Sequence, residues 1–152
     1  MKLGSKVADF SLPATGGADF RLKDVAGKKL IIYFYPKDMT SGCTRESQDF
    51  RDLHAAFRKA GARIVGVSRD GIASHEKFKA REKLPYELLA DEDSKLCKLF
   101  DVIHEKSMYG RKFLGIERST FLLDGAGVLQ REWRKVKVPG HAEEVLEAAQ
   151  SL

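Results

Sequence analysis

The stretch Pro36-Lys37-Asp38-Met39-Thr40-Ser41-Gly42-Cys43-Thr44 holds the residue best placed for chemistry. Its thiol stands where the apolar run Leu30–Tyr35 gives way to a helical pattern. At a helix N-terminus, unpaired backbone N–H groups and the helix dipole favour a thiolate over a thiol. The neighbours Ser41, Gly42, Thr44, Arg45 and Glu46 are small or polar, so Cys43 is not on the apolar face that a merely structural cysteine occupies. Gly42 permits close backbone approach, and Arg45 offers a cation within one turn. Dithiol exchange needs a second thiol three residues away, in a Cys-x-x-Cys pair. Here that position is Thr40, whose hydroxyl hydrogen-bonds but cannot form a mixed disulfide. A lone thiolate with a polar partner suits attack on an electrophilic oxygen or carbonyl.

Attack on a carbonyl, as in a cysteine hydrolase, requires a base, usually histidine. His54 falls on the same predicted helix, eleven residues beyond Cys43 and so about 16 Å away. His75, His104 and His141 read as solvated or loop residues, which leaves the hydrolase reading weak. The only other cysteine is Cys97. Two cysteines so far apart make neither a disulfide scaffold nor a zinc site, so no metal and no cofactor is expected. In a reducing compartment a thiol placed like Cys43 reads as reactive.

The elements that position this thiol follow from periodicity. Val7–Leu12 and Asp19–Leu22 alternate around Thr15-Gly16-Gly17, as a small β-hairpin does. Lys28–Tyr35 is nearly all apolar, the pattern of a strand buried on both faces. A helix is predicted from about Thr44 to Lys59, with Phe50, Leu53, His54 and Phe57 on one face and Gly61 as its stop. Ala62–Ser68 reads as a strand, Ser74–Lys83 as a polar helix, Glu87–Ala90 as a short strand and Ser94–Val102 as a helix. Ser119–Leu123 and Val128–Val136 form a predicted hairpin around Asp124-Gly125-Ala126-Gly127, and His141–Leu152 closes the chain as a helix. This order implies an α/β fold of thioredoxin-like arrangement: a mixed central sheet flanked by helices, with an N-terminal β-hairpin. With 152 residues, no repeat and no linker, a single domain spanning 1–152 is expected.

The net charge of +5 raises the question of nucleic-acid binding. The basic residues are spread among acids and apolar residues, as on a solvated surface, so no nucleic-acid partner is expected. No run approaches the roughly 18 apolar residues that cross a bilayer. Met1–Lys6 lacks the apolar core of a signal peptide. A cytoplasmic protein without a membrane partner is expected.

Tyr33 to Thr44 closely resembles the active-site segment of peroxiredoxins, whose signature is Pro-x-x-x-Thr-x-x-Cys. Glu105–Lys112, together with Gly115–Asp124, resembles the bacterioferritin comigratory protein, or peroxiredoxin Q, subgroup. The likeness runs from Val7-Ala8-Asp9-Phe10 to the last helix. It implies a thiol peroxidase that reduces hydrogen peroxide and organic hydroperoxides, with thioredoxin as the usual electron donor, and it suggests a monomer. By that resemblance Cys43 is the peroxidatic cysteine, and Thr40 hydrogen-bonds the thiolate and the peroxide. Pro36 shields the sulfur from water, and Arg118 lowers the thiol's pKa and orients the substrate. From the residues alone, Arg118 reads as a surface ion pair with Glu117 or another acid.

The chain departs from the family pattern at two places. Many members carry a resolving cysteine five residues after the peroxidatic one, where this chain has Gln48, and proline is frequent where it has Ser41. Cys97 is the remaining resolving candidate, although beside Leu96, Phe100 and Ile103 it also reads as plain packing. Three routes of resolution stay open: a Cys43–Cys97 bond after rearrangement, which is favoured, an intermolecular bond, or an external thiol. The rival functions are a non-catalytic thioredoxin-fold binding or chaperone protein, and a thiol-disulfide oxidoreductase that Thr40 disfavours.

Overall fold

Every residue from Leu30 to Tyr35 is buried, and the strand pleat sends successive side chains to opposite faces. Leu30, Ile32 and Phe34 join one core, and Ile31, Tyr33 and Tyr35 join another. Around this strand the computed structural model describes residues 1–152. The chain runs through β1 (Ser11–Pro13), β2 (Asp19–Arg21), a short 3-10 helix (Leu22–Val25), β3 (Lys29–Phe34), α1 (Ser41–Asp52) and α2 (His54–Lys59). It continues through β4 (Ala62–Ser68), α3 (Ile72–Glu82), β5 (Glu87–Ala90), α4 (Lys95–Leu99), β6 (Ile103–Met108) and β7 (Arg111–Ile116). β8 (Ser119–Leu123), β9 (Leu129–Trp133) and α5 (His141–Gln150) complete it.

Five strands form the central sheet in the order β5-β4-β3-β8-β9, with β3, β4 and β5 parallel and β8 and β9 antiparallel. The predicted mixed sheet and the N-terminal hairpin β1–β2 are both present. One face is covered by Phe50 of α1, Phe57 of α2, Phe78 of α3 and Val145 of α5. The other is covered by Leu96 and Cys97 of α4, Phe100, and Leu12 and Phe20 of the hairpin.

Three segments differ from expectation. The helix predicted from Thr44 begins at Ser41, because Thr40 is extended (φ −82°, ψ 153°) and its carbonyl accepts from Thr44 N at 2.9 Å. It is also interrupted at Leu53, where φ −100° and ψ 5° separate α1 from α2. The helix predicted over Ser94–Val102 shrinks to α4, because Ser94 (φ 60°) and Asp101 (φ 54°) are left-handed at either side. The hairpin β6–β7 was not predicted, since its residues are mostly exposed and lack a clean apolar alternation. Tyr109 (φ 53°) and Gly110 (φ 77°) supply the two positive φ angles of a tight hairpin turn.

Candidate active site

Cys43 lies in the first turn of α1 at the carboxyl end of β3, packed against the sheet and 1% exposed. Arg118 stands between β7 and β8. Its carbonyl accepts from Val136 N at 3.0 Å, and Glu117 N donates to Val102 O at 2.7 Å. Held on both sides, Arg118 aims its guanidinium across the sheet end. Nη2 donates to Cys43 Sγ at 3.3 Å, and Nη1 donates to Glu46 Oε1 at 2.7 Å. The surface ion pair read from the residues alone is therefore replaced by a buried one.

Gly42 explains the close fit: a Cβ there would lie 3.3 Å from Arg118 Nη2. Glu46 is 1% exposed, and its Oε2 has no partner. Burial pushes its pKa up to about 7 against the pull of Arg118. Burial opposes the charge on Arg118, but Glu46 and Cys43 together hold its pKa above the usual arginine value. A permanent cation thus faces the sulfur. Burial, and then the charge of Arg118, lower the pKa of Lys106 on β6, against the opposing pull of Cys43 and Glu117.

The other predicted residues are placed as follows. Thr40 immediately precedes α1, and its hydroxyl donates to Lys37 O at 2.8 Å. Pro36 is half-buried at the start of the same loop. Cys97 is fully buried, but in the core on the other side of the sheet from Cys43. Burial and Asp91 push its thiol pKa far up, which keeps it protonated and inert in this conformation. Asp91 accepts from Cys97 N at 2.8 Å and Leu96 N at 3.1 Å, and so closes the start of α4.

Two histidines expected to be solvated are buried: His75 is fully enclosed and His141 is 5% exposed. His141 Nε2 pairs with Thr120 Oγ1 at 2.8 Å, and burial lowers its pKa to about 4. Neither histidine contacts Cys43, so no base of the hydrolase kind stands beside the sulfur.

The site thus joins a thiol in a helix's first turn to an arginine that donates to its sulfur. The family model described as the AhpC/TSA family matches residues 3–132 of this sequence. The chain belongs to the AhpC/TSA family. Among its relatives is Peroxiredoxin Bcp of Xanthomonas campestris pv. campestris, 51% identical over 148 residues, which cover 97% of this chain and 92% of that protein. Peroxiredoxin Bcp of Bacillus subtilis is 46% identical over 152 residues, covering 100% and 97%. A solved structure of Xanthomonas campestris bacterioferritin comigratory protein superposes with a TM-score of 0.89 at 51% identity, covering 93% of this chain and 90% of that one. That work concerns the protein's alkyl peroxide reduction activity and its trapped intermediate and ligand complexes. This chain is thus a peroxiredoxin of the Bcp, or PrxQ, kind, a thiol peroxidase that uses a thiol reductant. No helix in it is long and apolar enough to cross a membrane.

Glu46 is the site residue that the sequence reading missed. It lies three positions after Cys43 and so shares its helix face, which was the available signal. Its partner Arg118 lies 72 positions away.

Proposed function

We propose that Cys43 is the peroxidatic nucleophile of this peroxiredoxin and that Arg118 is the group that stabilises its reaction. The 3.3 Å contact between Arg118 Nη2 and Cys43 Sγ carries this reading. In the reaction, the thiolate attacks one peroxide oxygen, an S–O bond forms and the O–O bond breaks. The sulfur gives up two electrons to become sulfenic acid, and the leaving alkoxide or hydroxide takes a proton to leave as an alcohol or water. Negative charge spreads onto both oxygens as the bond breaks. The guanidinium and the N–H groups of α1's first turn answer that charge more strongly in the transition state than before it.

Thr40 adds a hydroxyl at the mouth of the site. Its proton rests on Lys37 O while no peroxide is bound, and it must leave that acceptor to reach substrate. Pro36 caps the loop and keeps water from the sulfur. Cys97 then attacks the sulfenic sulfur once the two segments have moved, releasing water and leaving a Cys43–Cys97 disulfide. Thioredoxin or a similar dithiol reduces that bond. We place the enzyme in the cytoplasm as a monomer, acting on hydrogen peroxide and organic hydroperoxides.

Peroxide consumption by wild-type, Cys43→Ser and Cys97→Ser proteins tests this reading. Cys43→Ser is expected to abolish consumption. Cys97→Ser should keep the first oxidation and lose turnover with thioredoxin. Intact mass after one equivalent of peroxide should show a monomer lighter by two hydrogens in the wild type, and a dimedone adduct in Cys97→Ser. Full activity in Cys43→Ser would end the proposal.

A further inference from the structure

His75 and Asp38 form a buried pair that the peroxide reaction leaves unused. His75, on α3, has no solvent exposure and Asp38 has 5%. His75 Nε2 lies 2.9 Å from Leu89 O, and Nδ1 lies 2.7 Å from Asp38 Oδ2. A carbonyl can only accept, so Nε2 carries a proton. The Asp38 carboxylate also accepts from Tyr35 Oη at 2.5 Å and from Ser74 Oγ at 2.8 Å. Burial disfavours its charge, but the bonds from His75, Tyr35 and Ser74 outweigh that and lower its pKa. Nδ1 faces the same carboxylate, so both ring nitrogens are engaged and the ring is fixed between α3, β5 and the loop. Asp38, Asp70 and His75 are close enough together to suggest a metal site. However, Nε2 is engaged by Leu89 O and Nδ1 by Asp38, and three hydroxyl and ring donors already surround the Asp38 carboxylate.

These bonds tie three elements together at the loop that leads into Cys43. Asp38 N donates to Asp70 Oδ2 at 2.9 Å, which fastens the same loop to the end of β4. The next residue, Met39, is left-handed at φ 65°, a conformation that a non-glycine residue adopts only when its surroundings impose it. The loop is therefore held by tertiary bonds against its local preference. At the far side, Leu89 lies two residues before Asp91, which caps the α4 turn bearing Cys97. The pair thus joins the segment that carries one cysteine to the strand end from which the other hangs.

We propose that Asp38 and His75 are positioning residues, a clamp whose opening governs when oxidised Cys43 leaves its folded site. Neither touches the sulfur. The clamp rests on Cys43 forming a sulfenic acid, as proposed above, but not on Cys97 resolving it.

The test uses the Cys97→Ser protein, oxidised with one equivalent of hydrogen peroxide, and follows the rate at which dimedone traps Cys43. Added separately, His75→Asn and the milder Tyr35→Phe are each expected to raise trapping, by roughly tenfold for His75→Asn, as loss of net hydrogen bonds in the closed state requires. The first oxidation should change far less. Leu129→Ala, a destabilising change in the edge strand β9 on the far side of the sheet from β5, serves as the control and should leave trapping unchanged. Unchanged trapping in folded His75→Asn and Tyr35→Phe proteins would overturn the clamp, as would an equal rise in the Leu129→Ala control. If no variant forms a dimedone adduct, the sulfenic-acid reading itself fails and takes the clamp with it. With Cys97 restored, disulfide formation should accelerate in the same order. Faster trapping without faster disulfide formation would support the clamp and remove Cys97 as the resolving thiol.

Discussion

At Arg118 one guanidinium serves two acids, with Nη2 on Cys43 Sγ and Nη1 on Glu46 Oε1. Its planar fork suits that division, whereas lysine would bring only a point charge. Arg118→Ala is expected to lower the second-order rate of Cys43 oxidation by about 10²- to 10³-fold, the usual loss when one transition-state donor is removed. Arg118→Lys should fall between the two. Stopped-flow oxidation with one equivalent of peroxide reads both, and a rate within a factor of a few of wild type in Arg118→Ala would refute the assignment. At this scale the sequence was unevenly legible. Cys43 stood out because its neighbours are polar and a strand runs into it. Arg118 needed the family motif, since nothing local separates it from Glu117 and its surroundings. Glu46 escaped because its burial depends on a partner brought in from β8's start.

α1 is fastened to the sheet by a small hydroxyl network. Tyr33 Oη meets Ser47 Oγ at 2.9 Å and Tyr86 Oη at 2.7 Å, and Tyr86 Oη donates to Ser47 O at 2.8 Å. Tyr33 also stacks on Phe50 with ring centroids 4.8 Å apart. Room for that ring comes from Gly66 on β4, where a Cβ would lie 2.8 Å from Tyr33 and from Leu88. Gly66→Ala should therefore destabilise the fold by about 1–3 kcal/mol, the usual penalty for overpacking, and urea unfolding would measure it. An unchanged midpoint would show that Tyr33 is freer to move than its contacts imply. The strands β3, β4 and β8 were readable because burial on both faces leaves long apolar runs. The hairpin β6–β7 was not, because a ribbon that packs against little needs no apolar stripe. The ends of α4 were missed because Ser94 and Asp101 adopt left-handed angles that their residue types do not announce.

For the molecule as a whole, two buried titratable groups oppose one another. Glu46 holds its proton more tightly when folded, with a pKa near 7 against 4.5. Its contribution is complete below pH 4.5 and is lost as pH rises through about 7. His141 is depressed from 6.5 to about 4, so its contribution is present above pH 6.5 and is lost as pH falls through about 4. The two slopes oppose each other across nearly the same window. Relative to wild type, the Tm of Glu46→Gln should climb with pH between 4.5 and about 7. That of His141→Asn should decline between about 4 and 6.5. Parallel melting curves for all three proteins across that range would contradict both assignments. The histidines show most clearly why sequence reading stops short at this scale: His75 and His141 sit in polar-looking segments, and only the assembled fold encloses them. The sheet between the two cores has a kinetic consequence. Cys43 and Cys97 belong to opposite sides of it, so no thermal jostling of side chains alone brings the sulfurs together. Any cycle that closes through Cys97 must therefore saturate. Peroxide can load the first sulfur as fast as it arrives, but beyond a certain dose throughput stops depending on oxidant and is limited by how often the protein comes partly undone.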